Sequence, residues 1–289
     1  MSDPHVRLDR RPDGVAVLTF DQPGGRANVL TTQMWADFEA AVDTVAADPG
    51  ACGLVLASAK PGVFIAGADL KLLADATPGD PAVRAFIEHG LRVLAKLETL
   101  PCPTCAAIDG AALGGGLEVA LACDFRVCGA NPKVRLGLPE TTLGLIPGWG
   151  GTQRLPRVVG MDEAAEMLVS GEPITSRECE ALHFLSAIAS AEGGYLMSCA
   201  VGQVLNCTAE SARVRAEKQG ALPAAERNAF QPAQPTDSDA RREAIRVLVE
   251  GTALPLAEGI AVETEAFLRL AGSDESRRRI AEFFAGRKR

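Results

Sequence analysis

Glu118 and Glu140 stand where a carboxylate is hard to keep. Glu118 lies one helical turn beyond Gly114-Gly115-Gly116, in the otherwise apolar stretch Leu117, Val119, Ala120, Leu121 and Ala122, and Glu140 follows Leu136-Gly137-Leu138-Pro139. An ionised carboxylate on an apolar helix is unfavourable unless it is paired or put to use. Taken singly, each reads as a satisfied structural glutamate; the glycines around them change the balance. Three glycine-rich segments occur: Ala66-Gly67-Ala68-Asp69-Leu70, Gly114-Gly115-Gly116-Leu117-Glu118 and Pro147-Gly148-Trp149-Gly150-Gly151-Thr152. Each falls at a strand-to-helix transition or in a loop. Glycine lets backbone N–H groups approach a ligand with no Cβ in the way, and a helix N-terminus aims several unpaired N–H groups and a positive dipole at one point. Such places stabilise anions.

Other chemistries fail on spacing. A dinucleotide fingerprint beginning at Gly114 and Gly116 needs glycine at 119, where Val119 stands, and no phosphate-loop Gly-Lys-Ser/Thr follows. Cys102-Pro103-Thr104-Cys105 has the C-x-x-C spacing, yet no second pair and no nearby histidine completes a metal site, so two thiols beside a buried strand are expected and no metal. The histidines His5, His89 and His183 occupy no catalytic pattern.

The elements that must position these residues alternate. The Asp13-Gly14 step predicts a hairpin between Val6–Leu8 and Val15–Phe20. From Thr32, taken as the N-cap, Met34, Phe38, Ala41, Val42 and Val45 recur at helical spacing until Asp48-Pro49-Gly50. Gly53 to Ala57 and Thr104 to Ile108 are short apolar runs bounded by turn residues, as expected of buried strands, with a helix through Phe86, Leu91, Leu94 and Leu97 between them. A helix over Leu117–Ala122 and a strand over Phe125–Val127 follow. Alternation of this kind predicts an α/β fold. Residues 219–239, with Pro223, Pro232 and Pro235, are expected to be an exposed connection; helices are expected over Arg241–Leu254, Ala257–Leu270 and from Ser273, with Arg287-Lys288-Arg289 complementing the last C-terminus. This divides the chain into an α/β core over 1–200 and a helical region over 201–289.

Composition narrows the class. In 289 residues, 29 Lys and Arg against 37 Asp and Glu leave a net charge of −8, which argues against nucleic acid or an anionic membrane as partner. No apolar stretch approaches the ~18 residues of a membrane span, and the N-terminus has neither a signal-peptide core nor a transit-peptide character. A cytoplasmic protein with reduced thiols at its 8 cysteines is expected.

Three ordered motifs carry a family resemblance. Lys60-Pro61-Gly62-Val63-Phe64-Ile65-Ala66-Gly67-Ala68-Asp69-Leu70, Asp109-Gly110-Ala111-Ala112-Leu113-Gly114-Gly115-Gly116-Leu117-Glu118, and Gly137-Leu138-Pro139-Glu140 through Gly150-Gly151-Thr152-Gln153-Arg154-Leu155 closely resemble the enoyl-CoA hydratase/isomerase family, the crotonases. Within it the chain looks most like the hydratase part of the multifunctional fatty-acid oxidation α-subunits, with no dehydrogenase part expected after it. The likeness runs from about Val6 to Thr175, resumes over the C-terminal helices, and is poor from Phe184 to Asp239; where the family commonly has a Gly-Leu-Val-Asp-like stretch, this chain has His183-Phe184-Leu185-Ser186.

The resemblance implies a crotonase-like spiral of ββα units, a CoA thioester substrate with no separate cofactor, and a homotrimer, alternatively a hexamer, built through the C-terminal helices. It implies that the N–H groups of Ala68 and Gly115 form an oxyanion hole, that Glu118 and Glu140 are the catalytic pair, and that Gly148 lies beside the attacking water. Ala66, Gly67, Asp69, Leu70 and Lys71 match the CoA-lining segment, with Gly114, Pro139 and Arg26 nearby. The implied reaction is hydration of a trans-2-enoyl-CoA to a 3-hydroxyacyl-CoA, as in fatty-acid β-oxidation. Alternatives are a Δ3-Δ2 enoyl-CoA isomerase or another crotonase-family acyl-CoA enzyme and, more remotely, a catalytically idle assembly or binding subunit of a β-oxidation complex; a separate 3-hydroxyacyl-CoA dehydrogenase or thiolase is a candidate partner.

Overall fold

A computed structural model describes residues 4–182, 184–189, 195–231 and 237–286. Among them the strands are β1 (Val6–Arg10), β2 (Val15–Phe20), β3 (Gly53–Ser58), β4 (Gly62–Ile65), β5 (Thr104–Ile108), β6 (Gly110–Leu113), β7 (Phe125–Gly129), β8 (Arg135–Gly137) and β9 (Ala187–Ala189). The helices are α1 (Thr32–Ala46), α2 (Leu70–Ala74), α3 (Pro81–Glu98), α4 (Gly115–Ala122), α5 (Gly151–Arg154), α6 (Pro156–Val159), α7 (Met161–Ser170), α8 (Ser176–Ala181), α9 (Tyr195–Asn206), α10 (Thr208–Gln219), α11 (Ala224–Ala229), α12 (Asp239–Thr252), α13 (Leu256–Leu270) and α14 (Asp274–Gly286), with a 3₁₀ helix over Pro139–Leu143. The chain divides into two compact units, the first within 1–68, 92–136 and 174–216, the second within 69–91, 137–173 and 217–289.

The first unit is built on a sheet of order β1-β2-β3-β5-β7-β9, in which β1 and β2 are antiparallel and each later neighbour is parallel. The expected hairpin forms, and Gly14, at φ 84°, closes it by donating to the Arg11 carbonyl at 3.1 Å. Every residue of β5 and β7 is buried, which is why these strands read as unbroken apolar runs: parallel strands carry cover on both faces. Residues of α1 lie on one side, where the Phe20 ring meets the Phe38 ring edge-on at 5.2 Å. On the other, Ala200, Val201 and Val204 of α9 pack with Val15, Val55, Cys105 and Val127. The cap of α1 is Thr31 and not Thr32: its hydroxyl accepts from Met34 N at 3.0 Å, and Thr32 already belongs to the first turn. A second sheet has the order β4-β6-β8.

A buried polar clamp ties α10 to this unit. Asp124 accepts from Thr104 N at 2.8 Å, from Ser211 Oγ at 2.8 Å and from Arg215 Nε at 2.6 Å. Arg215 also donates to the Cys102 carbonyl at 2.8 Å. No disulfide joins any of the cysteines, all of which lie among the described residues.

In the second unit α12 packs on α13 and on α7, while α7, α12 and α14 surround the 3₁₀ helix. The expected connection over 219–239 is not wholly irregular. Pro223 caps the six-residue α11, Leu222 N donates to the Thr252 carbonyl at 2.9 Å, and Phe230 is buried. One and a half turns are too short to show a helical period in the sequence. Ser273 Oγ accepts from Ser276 N at 3.2 Å, so it caps α14 as expected, while Arg287-Lys288-Arg289 lie outside the described residues, as does His183. Phe267, Leu268 and Ile280 of the C-terminal helices are buried in the chain's own packing; Ile260, Phe283 and Phe284 are half-buried. Among the described residues no helix is long and apolar enough to cross a membrane.

Candidate active site

In the first unit the parallel pairing of β4 with β6 sets the site. Gly62 pairs with Gly110 and Val63 with Ala111, so the chain leaves both strands side by side, one into Ala66-Gly67-Ala68 and the other into Gly114-Gly115-Gly116. Two glycines make the approach possible. Gly67 has φ 117°, closed to most side chains, and a Cβ on Gly116 would lie 2.2 Å from the Ile65 carbonyl oxygen. The Ala66–Ala68 stretch is further fixed through Asn28, which is fully buried: Ala66 N donates to the Asn28 carbonyl at 2.9 Å, and Leu30 N donates to the Gly67 carbonyl at 2.9 Å. The Asn28 amide nitrogen donates to the Phe64 carbonyl and to Ser58 Oγ, each at 3.0 Å.

Gly114 caps α4, and its carbonyl accepts from Leu117 N at 2.8 Å and Glu118 N at 3.1 Å. The N–H groups of Gly115 and Gly116 therefore head the helix with no acceptor inside it, at its positive end. Ala68 and Gly115 are thus brought to one edge of the β4/β6 pair. Glu118 is buried on the first turn of the same helix, among the wholly buried residues of α4.

The second unit holds the other glutamate. Glu140 lies in the 3₁₀ helix, which Thr141 pins by donating its hydroxyl to the Leu168 carbonyl at 2.8 Å and Gly144 ends at φ 70°. Glu140 is half-buried as a residue, but its Oε2 is fully buried and has no hydrogen-bond partner. Burial pushes its carboxyl up to about 8, with the charge of Glu263 adding to the effect. Glu263, on α13, is fully buried and accepts from Gly150 N at 2.5 Å, from Thr152 N at 2.8 Å and from Thr152 Oγ1 at 2.6 Å. Burial raises it as well, to about 7, against the pull of those donors and of Arg154. Burial thus favours the protonated form of both carboxyls, and at Glu263 the three donors oppose it, whereas nothing hydrogen-bonds to Glu140 Oε2. Gly148 is buried; a Cβ there would lie 3.0 Å from Ile87 Cδ1 and 3.1 Å from Phe267 Cδ2.

Of the CoA candidates, Arg26 and Lys71 are exposed, and Asp69 caps α2 by accepting from Lys71 N at 3.1 Å. Leu70 and Pro139 are half-buried. Lys60, by contrast, is engaged with Asp21 at 2.9 Å. Sequence reasoning missed Asn28 and Glu263. Glu263 carried the signal that exposed Glu118, a carboxylate among apolar neighbours, but Glu258 and Glu265 nearby give it the look of a solvated helix face.

Strand pairing that delivers two glycine-rich amide runs to one edge, with a buried glutamate behind one of them, agrees with the comparisons. Residues 10–219 match the enoyl-CoA hydratase/isomerase family, and the chain belongs to it. It is 46% identical over 171 residues to the fatty acid oxidation complex subunit alpha of Shewanella halifaxensis, a match covering 59% of this chain and 24% of that protein. The chain thus spans about a quarter of the length of such relatives. Among solved structures it is similar to an enoyl-CoA hydratase from Bacillus anthracis (26% identity, TM-score 0.63, 98% of this chain and 96% of that one). It shares its fold with the human mitochondrial delta3-delta2-enoyl-CoA isomerase (23% identity, TM-score 0.72, 98% of each chain). The architecture is that of the crotonase spiral, with alternating strand and helix units and a helical C-terminal region.

Proposed function

We propose that this chain is an enoyl-CoA hydratase, adding water across the 2,3 double bond of a trans-2-enoyl-CoA. The observations that carry the reading are the buried, unpartnered Oε2 of Glu140, whose burial raises its carboxyl, and, in the other unit, a buried glutamate, Glu118, on the first turn of a helix headed by glycine amides with no acceptor inside it. In the proposed reaction the thioester oxygen accepts from the N–H groups of Ala68 and Gly115, each donor worth about 3 kcal/mol as negative charge builds. Glu118 takes a proton from water as the oxygen bonds to C3, and Glu140 gives its proton to C2. One C–O and one C–H bond form, the C=C π bond is lost, and the two carboxyls end with exchanged charge states that solvent resets. Arg26 and Lys71 are the cations assigned to the CoA phosphates. Crotonyl-CoA absorbance tests the proposal directly: loss of the enoyl thioester band with formation of 3-hydroxybutyryl-CoA is expected, and no loss at micromolar enzyme would reject it. Conversion of a 3-enoyl-CoA without hydration of crotonyl-CoA would favour the isomerase instead.

We also propose assembly into a homotrimer or a hexamer through the C-terminal helices, supported by the half-buried Phe283 and Phe284 on α14. The 3-hydroxyacyl-CoA product would be passed to a dehydrogenase.

A further inference from the structure

Asn28 is fully buried, and both polar atoms of its side chain are spent on the chain around it. Its Nδ2 donates to the Phe20 carbonyl at 3.2 Å, to the Phe64 carbonyl at 3.0 Å and to Ser58 Oγ at 3.0 Å, while its Oδ1 accepts from Gln22 N at 2.9 Å. The Ser58 hydroxyl has one hydrogen, which goes to the Val63 carbonyl at 2.6 Å, so toward Asn28 it can only accept. Two carbonyls and a hydroxyl oxygen on one side and a backbone N–H on the other admit an amide in one orientation and no carboxylate. The ends of β2 and β3 and the interior of β4 are thereby tied to one point.

The backbone on either side of that point holds the peptide before Ala68. Ala66 N donates to the Asn28 carbonyl and Leu30 N to the Gly67 carbonyl, each at 2.9 Å, so segment 28–30 lies parallel to segment 66–68 with Leu30 in register with Ala68. The peptide between Gly67 and Ala68 is trans, and in a planar trans peptide the C=O and the N–H point in opposite directions. Anchoring the Gly67 carbonyl on Leu30 N therefore turns the Ala68 N–H away from segment 28–30. A Cβ on Gly67 would lie 3.3 Å from the Leu113 carbonyl oxygen, so the end of β6, which leads into Gly114 and Gly115, comes close to the same peptide.

We propose that Asn28 is a positioning residue: its side-chain amide fixes segment 28–30, and through the hydrogen bond from Leu30 N to the Gly67 carbonyl it aims the Ala68 N–H at the thioester oxygen of the substrate. The proposal rests on the reading of Ala68 as an oxyanion donor. The test compares wild type with Asn28→Asp, which keeps the shape but turns an acceptor toward the Phe20 and Phe64 carbonyls. Butyryl-CoA carrying ¹³C at the thioester carbonyl is the probe, and isotope-edited infrared spectroscopy reads its C=O stretch, which falls in frequency when donors polarise the bond. In the wild type the band should lie below its position in water. In Asn28→Asp it should return toward that position with little change in the calorimetric Kd of butyryl-CoA, and kcat for crotonyl-CoA should fall by about 10²-fold, the scale of a small misplacement. Amide exchange followed by NMR gives a reading that needs no ligand: the Leu30 and Ala66 amides should exchange faster by about tenfold or more. Leu54 N, bonded to the Pro103 carbonyl at 2.8 Å, is the control and should be unchanged. Ser58→Ala removes one acceptor from Nδ2 and should move the band and the Leu30 exchange the same way by less; it decides the matter if Asn28→Asp does not fold. A band at the wild-type position in either folded variant overturns the proposal, whatever happens to stability. A wild type that fails to bind butyryl-CoA, or leaves its band where water puts it, strikes the proposed function instead, and the Leu30 exchange then decides alone whether Asn28 holds the peptide.

Discussion

Replacing Glu140 by glutamine should make the folded protein's stability less sensitive to pH, and by an amount the structure sets. Burial raises the Glu140 carboxyl from an ordinary 4.5 to about 8. Between those values the folded chain holds a proton that the unfolded chain has already released, so stability falls as pH rises. The contribution is fully present below about pH 4.5 and is lost by about pH 8. At about 1.4 kcal/mol per pH unit, the interval corresponds to about 5 kcal/mol; sharing of the proton with Glu263, itself raised to about 7, brings the expected figure to about 3–5 kcal/mol. Exposed carboxylates such as Asp13, Asp48 and Glu178, held below their ordinary values by Arg11, Arg10 and the Thr175 backbone respectively, contribute equally to both proteins and cancel in the difference. Urea unfolding followed by the fluorescence of Trp35 and Trp149, at fixed protein concentration and at steps from pH 5 to 9, measures it. The stability of wild type minus that of Glu140→Gln should drop by about 3–5 kcal/mol from pH 5 to pH 8.5. Parallel pH profiles for the two proteins would refute the reasoning, because they would mean that Glu140 titrates as it does in the unfolded chain.

Glu118→Gln should lower crotonyl-CoA hydration by about 10²–10⁴ with little change in affinity for a saturated acyl-CoA measured by calorimetry; near-normal turnover would remove Glu118 from the mechanism. Gly116→Ala places a Cβ 2.2 Å from the Ile65 carbonyl, so the two amide runs must part; turnover should fall by about 10²–10³, and an unchanged rate would show that their spacing is not what the reaction needs. Truncation from Ser273 should give a smaller species in sedimentation velocity together with weaker activity, whereas an unchanged oligomer, or a monomeric full-length chain, would sink the assembly proposal.

What the sequence disclosed follows from how local each signal is. The parallel strands β5 and β7 were legible because full burial on both faces leaves a short apolar run between turns. Glu118 was legible because α4 is buried all round, so a lone charge stands out among its immediate neighbours. Glu263 was not, because α13 is amphipathic: its charged positions are solvated except where loop 150–152 comes over one of them, and that depends on residues distant in sequence. Arg215 was hidden for the same reason. It sits in a helix rich in charge, and only the fold brings Asp124 against it. Asn28 lay in a glycine-rich loop whose importance appears once its amide is seen bonded to both Phe64 and Ser58.

Comparison of the buried carboxylates separates holding from reacting. Asp124 is taken out of water and repaid in full, by a guanidinium, a backbone amide and two hydroxyls. Glu263 receives two amides and a hydroxyl. Both bind segments of chain together, and removing either would leave several donors without an acceptor. Glu140 is treated differently: its inner oxygen is desolvated and receives nothing. The uncompensated desolvation does not vanish; it is held as proton affinity, and it keeps a carboxylic acid intact at a pH where an exposed glutamate is almost wholly ionised. In the first unit the same economy applies to donors, since Gly115 and Gly116 head a buried helix with no acceptor inside it. Each unit therefore presents a polar group that its own local packing leaves unsatisfied: amides that suit an oxyanion in one, an acid that suits a carbanion in the other. A fold selected for stability alone would have filled both, as it filled Asp124 and Glu263.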